Sequence, residues 1–156
     1  MTLAAVSDAG PLIPLVEIDS LELLSAFDTL LIPQTVYEEI ERGGVPDAMS
    51  DLSYELVKAD AGRVESEALD AGERAALAVT REHTAVLLTD DLAAREAASD
   101  AGVEVHGSVG VIALGHARGV LDRDEAASLM PALQRETSLF VAETIVEHGI
   151  RMLDEQ

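Results

Sequence analysis

Short apolar runs alternate with longer segments of helical spacing along most of this chain. Residues 3–6, 30–32, 85–88 and a run around 103–105 have the length of short buried strands. Helical spacing covers residues 12–27, 34–42, 72–83, 92–101 and 109–118. Strands that alternate with helices are typical of βαβ units, in which a parallel sheet is covered by helices on both faces. The alternation therefore predicts an α/β fold.

Several helix ends carry recognisable capping signals. Asp70 with Glu73, and Asp122 with Glu125, have the spacing of a capping box, and Pro33 precedes a helical segment. Glycines that can adopt a left-handed backbone close three helical segments, at Gly43-Gly44, Gly102 and Gly119. These signals support the helical assignments on both sides of the expected strands.

The last part of the chain is helical in pattern throughout. From Asp122 to Gln156 no strand-like run occurs, and Pro131 is expected to interrupt the pattern, which predicts two helices. No linker composition or long-period repeat divides the chain. We expect one domain over residues 1–156, with an α/β core in 1–121 and a helical tail in 122–156.

The charge of the chain is strongly biased. Asp and Glu number 30 against 10 Lys and Arg, the formal net charge is −20, and Lys58 is the only lysine. Apolar residues make up 48% of the chain and fall in periodic blocks, so a folded acidic protein is expected rather than a disordered one. Such acidity suggests adaptation to high salt, because the screening length falls to about 3 Å at 1 M salt.

The sequence carries no sign of secretion or membrane insertion. It has no cysteine, no secretory signal pattern at its start, and no run of about 18 apolar residues. We therefore expect a soluble cytoplasmic protein that does not bind membranes.

Two carboxylates follow expected strands. Asp8 comes after the run 3–6 and Asp90 after the run 85–88, and the carboxyl ends of parallel strands form the ligand crevices of open α/β sheets. Either residue alone could equally cap the following helix. The adjacent Asp91 exceeds what one cap requires, so a cap and a ligand can coexist at this junction.

Two helical carboxylates lean toward the expected core. On the segment 34–42, Glu39 lies about 60° around the helix from Val36, whereas Glu38 lies on the far side. Glu73 shares a stripe with Leu77 and other inward residues, and for it a cap and a ligand are equally weighted.

Inward carboxylates repel one another unless a positive charge compensates them. The one lysine lies far from these segments and the arginines fall mostly on predicted outer faces, so a divalent cation is the simplest partner. Ligation by oxygen alone favours Mg²⁺ or Mn²⁺ over zinc. The sequence therefore predicts a site for one of these ions.

The ordered acidic segments resemble those of PIN-domain ribonucleases, including VapC-type toxins. The resemblance covers residues 3 to about 121. It is carried by Asp8, Ile32-Pro33-x-x-Val36-x-x-Glu39, Leu69-Asp70-x-Gly72-Glu73-x-x-Ala76-Leu77 and Leu88-Thr89-Asp90-Asp91. The later segments Gly107-Ser108-Val109-Gly110-Val111-Ile112 and Gly119-Val120-Leu121 resemble a prokaryotic PIN subgroup described as nucleic-acid-binding proteins.

The resemblance implies a three-layer α/β/α Rossmann-like fold and a metal-dependent nuclease that hydrolyses RNA. Asp8, Glu39, Glu73 and Asp90 match the family's acidic positions, with Asp91 as an extra candidate metal ligand. The chain departs from the common pattern by carrying Glu73 where Asp is frequent. A toxin role would imply an antitoxin or another basic protein partner, and the apolar tail is compatible with a homodimer.

Other functions fit less well. A non-catalytic module of the same fold, binding a basic protein, is the main alternative, and metal binding would separate the two. A phosphoacceptor receiver domain would need a late strand-end lysine, but Lys58 comes too early. A phosphatase of the haloacid dehalogenase type would need an Asp two residues after Asp8, where Gly10 stands.

Overall fold

Five parallel strands form the sheet at the centre of the molecule. The computed structural model describes residues 3–59, 68–139 and 141–155. The strands are β1 (Ala4–Ser7), β2 (Thr29–Pro33), β3 (Glu55–Val57), β4 (Val86–Leu88) and β5 (Val105–His106). They follow the order β3-β2-β1-β4-β5, and every neighbouring pair is parallel. The predicted parallel sheet is confirmed.

Strand β3 is the one element of the sheet that the sequence did not predict. It lies at the edge, where Glu55 is exposed and Leu56 is 44% exposed. An edge strand that buries little apolar surface lacks the apolar run by which the other four strands were recognised.

The helices that connect and cover these strands agree with the predicted segments to within a few residues, with two exceptions treated below. They are α1 (Ala9–Glu17), α2 (Gln34–Gly43), α3 (Ala71–His83), α4 (Leu92–Asp100), α5 (Ser108–Ala117), α6 (Arg123–Glu136) and α7 (Glu143–Asp154), with 3-10 helices at Leu21–Ala26 and Asp47–Asp51. Capping boxes begin α3 and α6 as predicted. Gly102 and Gly119 have positive φ just beyond α4 and α5.

Two helical predictions were wrong in detail. Residues 12–27 do not form one helix, because the chain turns at Asp19, whose φ is +53°, and continues as a 3-10 helix. Pro131 does not interrupt the tail, because it lies inside α6. The break between the two tail helices falls after Glu136 instead.

Helices cover both faces of the sheet. On one face Ala5, Ile32 and Leu88 pack with residues of α1, α2 and α5 to α7. On the other face Val6 and Leu87 pack with residues of α3 and α4. The sheet between these two layers of helices makes the three-layer α/β/α architecture that was predicted.

The tail helices α6 and α7 pack into the hydrophobic core on the side of the sheet that α1, α2 and α5 cover. Met130, Leu133 and Leu153 belong to the same buried cluster as the sheet residues. None of the helices in the described ranges combines the length and the apolar character that crossing a bilayer requires.

Candidate active site

Asp8 is a buried carboxylate at the carboxyl end of the central strand. Its side chain is 6% exposed. One oxygen accepts a hydrogen bond from the backbone nitrogen of Ala9 at 2.9 Å, and the other accepts one from the hydroxyl of Thr89 at 3.1 Å. Burial raises the pKa of Asp8 from 3.8 to about 6 against the opposing effect of these two bonds, and the charges of Asp70 and Glu39 add to the rise.

Glu39 reaches the same region from α2. It is half-buried while Glu38 is exposed, which confirms the predicted orientation of this pair. A Cβ atom at Gly72, in the first turn of α3, would lie 2.6 Å and 2.7 Å from the two carboxylate oxygens of Glu39. Burial and then the charge of Asp70 raise the pKa of Glu39, and the Gly72 N–H and Arg42 oppose the rise.

Glu73 has the capping role that was weighed for it, and its carboxylate also lies beside a second acid. It completes the capping box: its backbone nitrogen donates to Asp70 at 2.8 Å, and its carboxylate accepts from the Asp70 nitrogen at 2.9 Å. Its pKa is also raised, from 4.5 to about 7, chiefly by burial and then by a side-chain hydrogen bond with Asp91. Capping therefore leaves Glu73 in contact with a second acidic residue.

The adjacent Asp90 and Asp91 point in different directions. Both oxygens of Asp90 accept hydrogen bonds from Ser108, one from its backbone nitrogen at 2.7 Å and one from its hydroxyl at 2.6 Å. Asp91 caps α4 by accepting from the nitrogen of Ala94 at 2.9 Å, and it faces Glu73. Of the two, Asp91 is therefore the one that interacts with Glu73.

A close backbone approach holds Asp90 in place. A Cβ atom at Gly107 would lie 2.6 Å from an oxygen of Asp90. Only glycine leaves room there, because a side chain would displace the carboxylate from the first turn of α5.

Three residues that contribute to this region were not singled out from the sequence as part of a site. Asp70 was interpreted only as a cap, but its charge acts on Asp8, Glu39 and Glu73. Thr89 and Ser108 are buried hydroxyl donors to Asp8 and Asp90. The sequence offered a signal for Asp70, because this residue belongs to the same motif as Glu73. The pairing of Ser108 with Asp90 depends on tertiary contacts.

The fold and the carboxylates near the ends of its strands define a parallel α/β protein with several acidic residues at the carboxyl ends of the strands. A family model described as PIN domain matches residues 4–155, so the chain belongs to the PIN-domain family, whose members are commonly nucleases. No curated protein matches the sequence at a significant level.

Among solved structures, the fold is similar to a PilT N-terminus domain protein from the hyperthermophilic archaeon Sulfolobus solfataricus P2. The two chains are 17% identical, with a TM-score of 0.59, and the match covers 70% of this chain and 90% of the other. At this level of identity the likeness concerns the fold alone.

Proteins of this family typically use divalent metals. The donors at these strand ends are carboxylate oxygens, which suit Mg²⁺ or Mn²⁺. Within the described ranges, no three acidic or histidine side chains are grouped so that they could hold a metal ion as they stand. Mg²⁺ retains several waters and takes few carboxylates, so carboxylates spread over several elements fit a hydrated ion.

Proposed function

We propose that this protein is a Mg²⁺- or Mn²⁺-dependent ribonuclease that hydrolyses RNA phosphodiester bonds. The observation that carries the proposal is that acids at the carboxyl ends of the strands act on one another through their charges: Asp70 acts on Asp8, Glu39 and Glu73, and Asp91 acts on Glu73. Among the described residues, none of these acids forms an ion pair with a basic side chain. A divalent cation would compensate their charge.

Asp8, Glu39 and Glu73 would hold the ion, together with one of the two adjacent aspartates. The sequence favoured Asp90, but the contacts of Asp90 with Ser108 favour Asp91 for this role. When bound, the ion supplies a means to activate water and to stabilise negative charge on the attacked phosphate. The carboxylates position it, and the burial of Asp8 limits the access of bulk water to that end of the site.

The net charge of −20 opposes the binding of RNA. Screening at molar salt shortens the range of this repulsion to about 3 Å, whereas direct contacts to the phosphate persist. Of the arginines near the motifs, Arg42 lies close enough to act on Glu39, whereas Arg118 is held by Asp28 at 3.5 Å. A melting temperature that does not change with KCl concentration would contradict the proposed adaptation to salt.

Cleavage of a mixed RNA set in molar KCl with Mn²⁺ tests the enzymatic proposal. We expect Asp8→Asn and Glu39→Gln to lower the cleavage rate by at least about 100-fold, since even indirect partners of a metal contribute 10- to 100-fold. Glu38→Gln is the matched control, because it removes an identical charge from the exposed neighbour. Equal cleavage by wild type and Glu39→Gln would contradict the assignment.

A non-catalytic PIN module that binds a basic protein is the second candidate. It is favoured by the absence of a ready-made group of three metal-binding side chains in the described ranges. Calorimetric titration with Mn²⁺ separates the two candidates. The nuclease should give binding heat that Asp8→Asn abolishes, whereas a module without a metal site should give none.

A toxin role in the cytoplasm, with an antitoxin as the basic partner, and a homodimer formed through the tail complete the proposal. Growth arrest on expression of the wild type but not of Glu39→Gln would support the toxin role. A native protein that purifies without any associated chain would contradict a stable antitoxin complex. Sedimentation of the purified protein tests the dimer.

A further inference from the structure

A cavity of about 580 Å³ opens near the amino ends of β2 and β3, at the opposite end of the strands from the carboxylates of the candidate site. It is lined by residues that precede β2, by the end of α1, and by the 3-10 helices, including Phe27, Asp28, Asp19 and Leu52. A second cavity of about 460 Å³ shares Asp19 with the first. The first cavity, called the amino-edge groove below, contains none of the proposed catalytic residues.

The floor of the first cavity is apolar. Leu21, Phe27 and Leu30 line it and are only 3–5% exposed, and Val16 and Leu52 form half-buried walls. Cavities that bind ligands typically measure about 300–1,000 Å³ and are lined mainly by apolar groups. This one is large enough to accept one or two apolar side chains.

The rim of the same cavity is acidic. Asp19, Glu22 and Asp51 are exposed there, and none of the three is ion-paired within the ranges that the structure describes. Asp28 is already engaged by Arg118 and by the backbone nitrogen of Leu3. The rim therefore presents three negative charges around an apolar floor.

We propose that the amino-edge groove binds a segment of a partner protein in which apolar side chains are flanked by Lys or Arg. Charge complementarity favours this occupant. A second copy of this chain would bring a net charge of −20 to an acidic rim, and RNA would bring phosphates. In a basic amphipathic segment, the apolar side chains would pack on the floor and the basic side chains would pair with the acidic rim. The proposal does not depend on nuclease activity.

Synthetic peptides with Lys or Arg at both ends and two apolar residues between them provide the probe. Each is compared with a peptide of equal charge whose apolar residues are replaced by Ser, and with spermine, by fluorescence anisotropy against the full chain. We expect the apolar basic peptides to bind at least about tenfold more tightly than both, because apolar burial adds to the attraction of charge. Equal binding of the Ser peptides or of spermine would overturn the proposal.

Two variants locate the binding. The double variant Glu22→Gln with Asp51→Asn should weaken peptide binding by about three- to tenfold. The matched pair Glu143→Gln with Glu147→Gln, exposed on α7, removes the same charge and should change binding much less. Equal loss in both pairs would show attraction to the net charge alone and would overturn the proposal.

Ser25→Trp places a large side chain at the exposed rim of the cavity and changes no charge. We expect it to lower peptide affinity at least about tenfold while the protein keeps its melting temperature. Peptide-induced NMR shifts confined to the groove provide an independent readout should that variant unfold. Shifts elsewhere, or a self-association of the free protein that Ser25→Trp removes, would contradict the assignment of a partner segment.

Discussion

Asp90 holds the first turn of helix α5 through Ser108, whose backbone nitrogen and hydroxyl donate to its two carboxylate oxygens at 2.7 Å and 2.6 Å. Ser108 is fully buried, and a negative charge at a helix N-terminus is favourable. The adjacent Asp91 faces Glu73 instead. Asp90 therefore anchors the start of α5, whereas Asp91 lies beside Glu73.

Ser108→Ala should lower the free energy of unfolding by about 1–3 kcal/mol, because it removes one donor from a partly buried carboxylate. Denaturant unfolding without metal measures this loss. Ser128→Ala, at an exposed position of α6, should stay within about 0.5 kcal/mol of wild type. If Ser108→Ala is as stable as the control, the anchoring role of Asp90 is wrong.

Asp91→Asn should remove most of the stabilisation that Mn²⁺ confers, whereas Asp90→Asn should keep it. Asn remains a good N-cap, so the change at position 91 removes charge with little effect on α4. Thermal unfolding at increasing Mn²⁺ measures the stabilisation, which grows with ligand concentration. The opposite pattern would make Asp90 the ligand.

Asp8 should make the metal-free protein less stable as pH rises. Because the pKa of Asp8 is raised from 3.8 to about 6, the folded state binds more protons than the unfolded state between these values. The stabilisation is therefore present below about pH 4 and is lost as pH rises through 6. Denaturant unfolding at a series of pH values should show a decline of about 2–3 kcal/mol from this group, at 1.36 kcal/mol per pKa unit.

Asp8→Asn serves as the comparison for that profile, since the asparagine does not titrate. The difference in stability between wild type and variant should change between pH 4 and 6, and the contribution of the remaining acids should cancel. A difference that is constant with pH would contradict the raised pKa.

Gly72→Ala should lower RNA cleavage at least about tenfold, because the new Cβ would lie 2.6 Å from a carboxylate oxygen of Glu39 and displace it. Initial cleavage rates with Mn²⁺ measure the effect. Gly43→Ala is the control: it also lies on a helix, and its Cβ would meet nothing within 4 Å. Full activity of Gly72→Ala would argue against a catalytic position for Glu39.

Gly149→Ala should destabilise the whole molecule by about 1–3 kcal/mol through overpacking. Its Cβ would lie 2.6 Å from Val109 and 2.9 Å from the sulfur of Met130, where α5, α6 and α7 meet. Unfolding followed by circular dichroism should remain a single transition at lower temperature, as expected if the tail and the sheet form one domain. A separate early transition of the tail would contradict one domain.

Much of the candidate site follows from local pattern. The inward position of Glu39 depends only on its angle from Val36 around a helix, and the capping role of Glu73 depends on its spacing from Asp70. Asp8 could be placed at a strand end because the strand before it is a buried apolar run. These features need no knowledge of distant contacts.

The remaining features depend on tertiary structure. The different contacts of Asp90 and Asp91 depend on where Ser108 lies, eighteen positions along the chain from Asp90. Strand β3 owes its existence to pairing with β2 rather than to its own apolar content. Pro131 lies within α6, where Met130 and Leu133 on either side of it are anchored in the core, and this packing outweighs the hydrogen bond that proline cannot make.

The central position of β1 has a consequence for synthesis of the chain. Val6 pairs with Leu31 on one side and with Leu87 on the other, so β1 lacks its second neighbour until β4 has been synthesised. Pairings between such distant segments form slowly, since a long loop must close first. Asp8 therefore cannot accept its hydrogen bond from Thr89 in a growing chain before β4 is made, so the buried environment of this carboxylate forms only at that point.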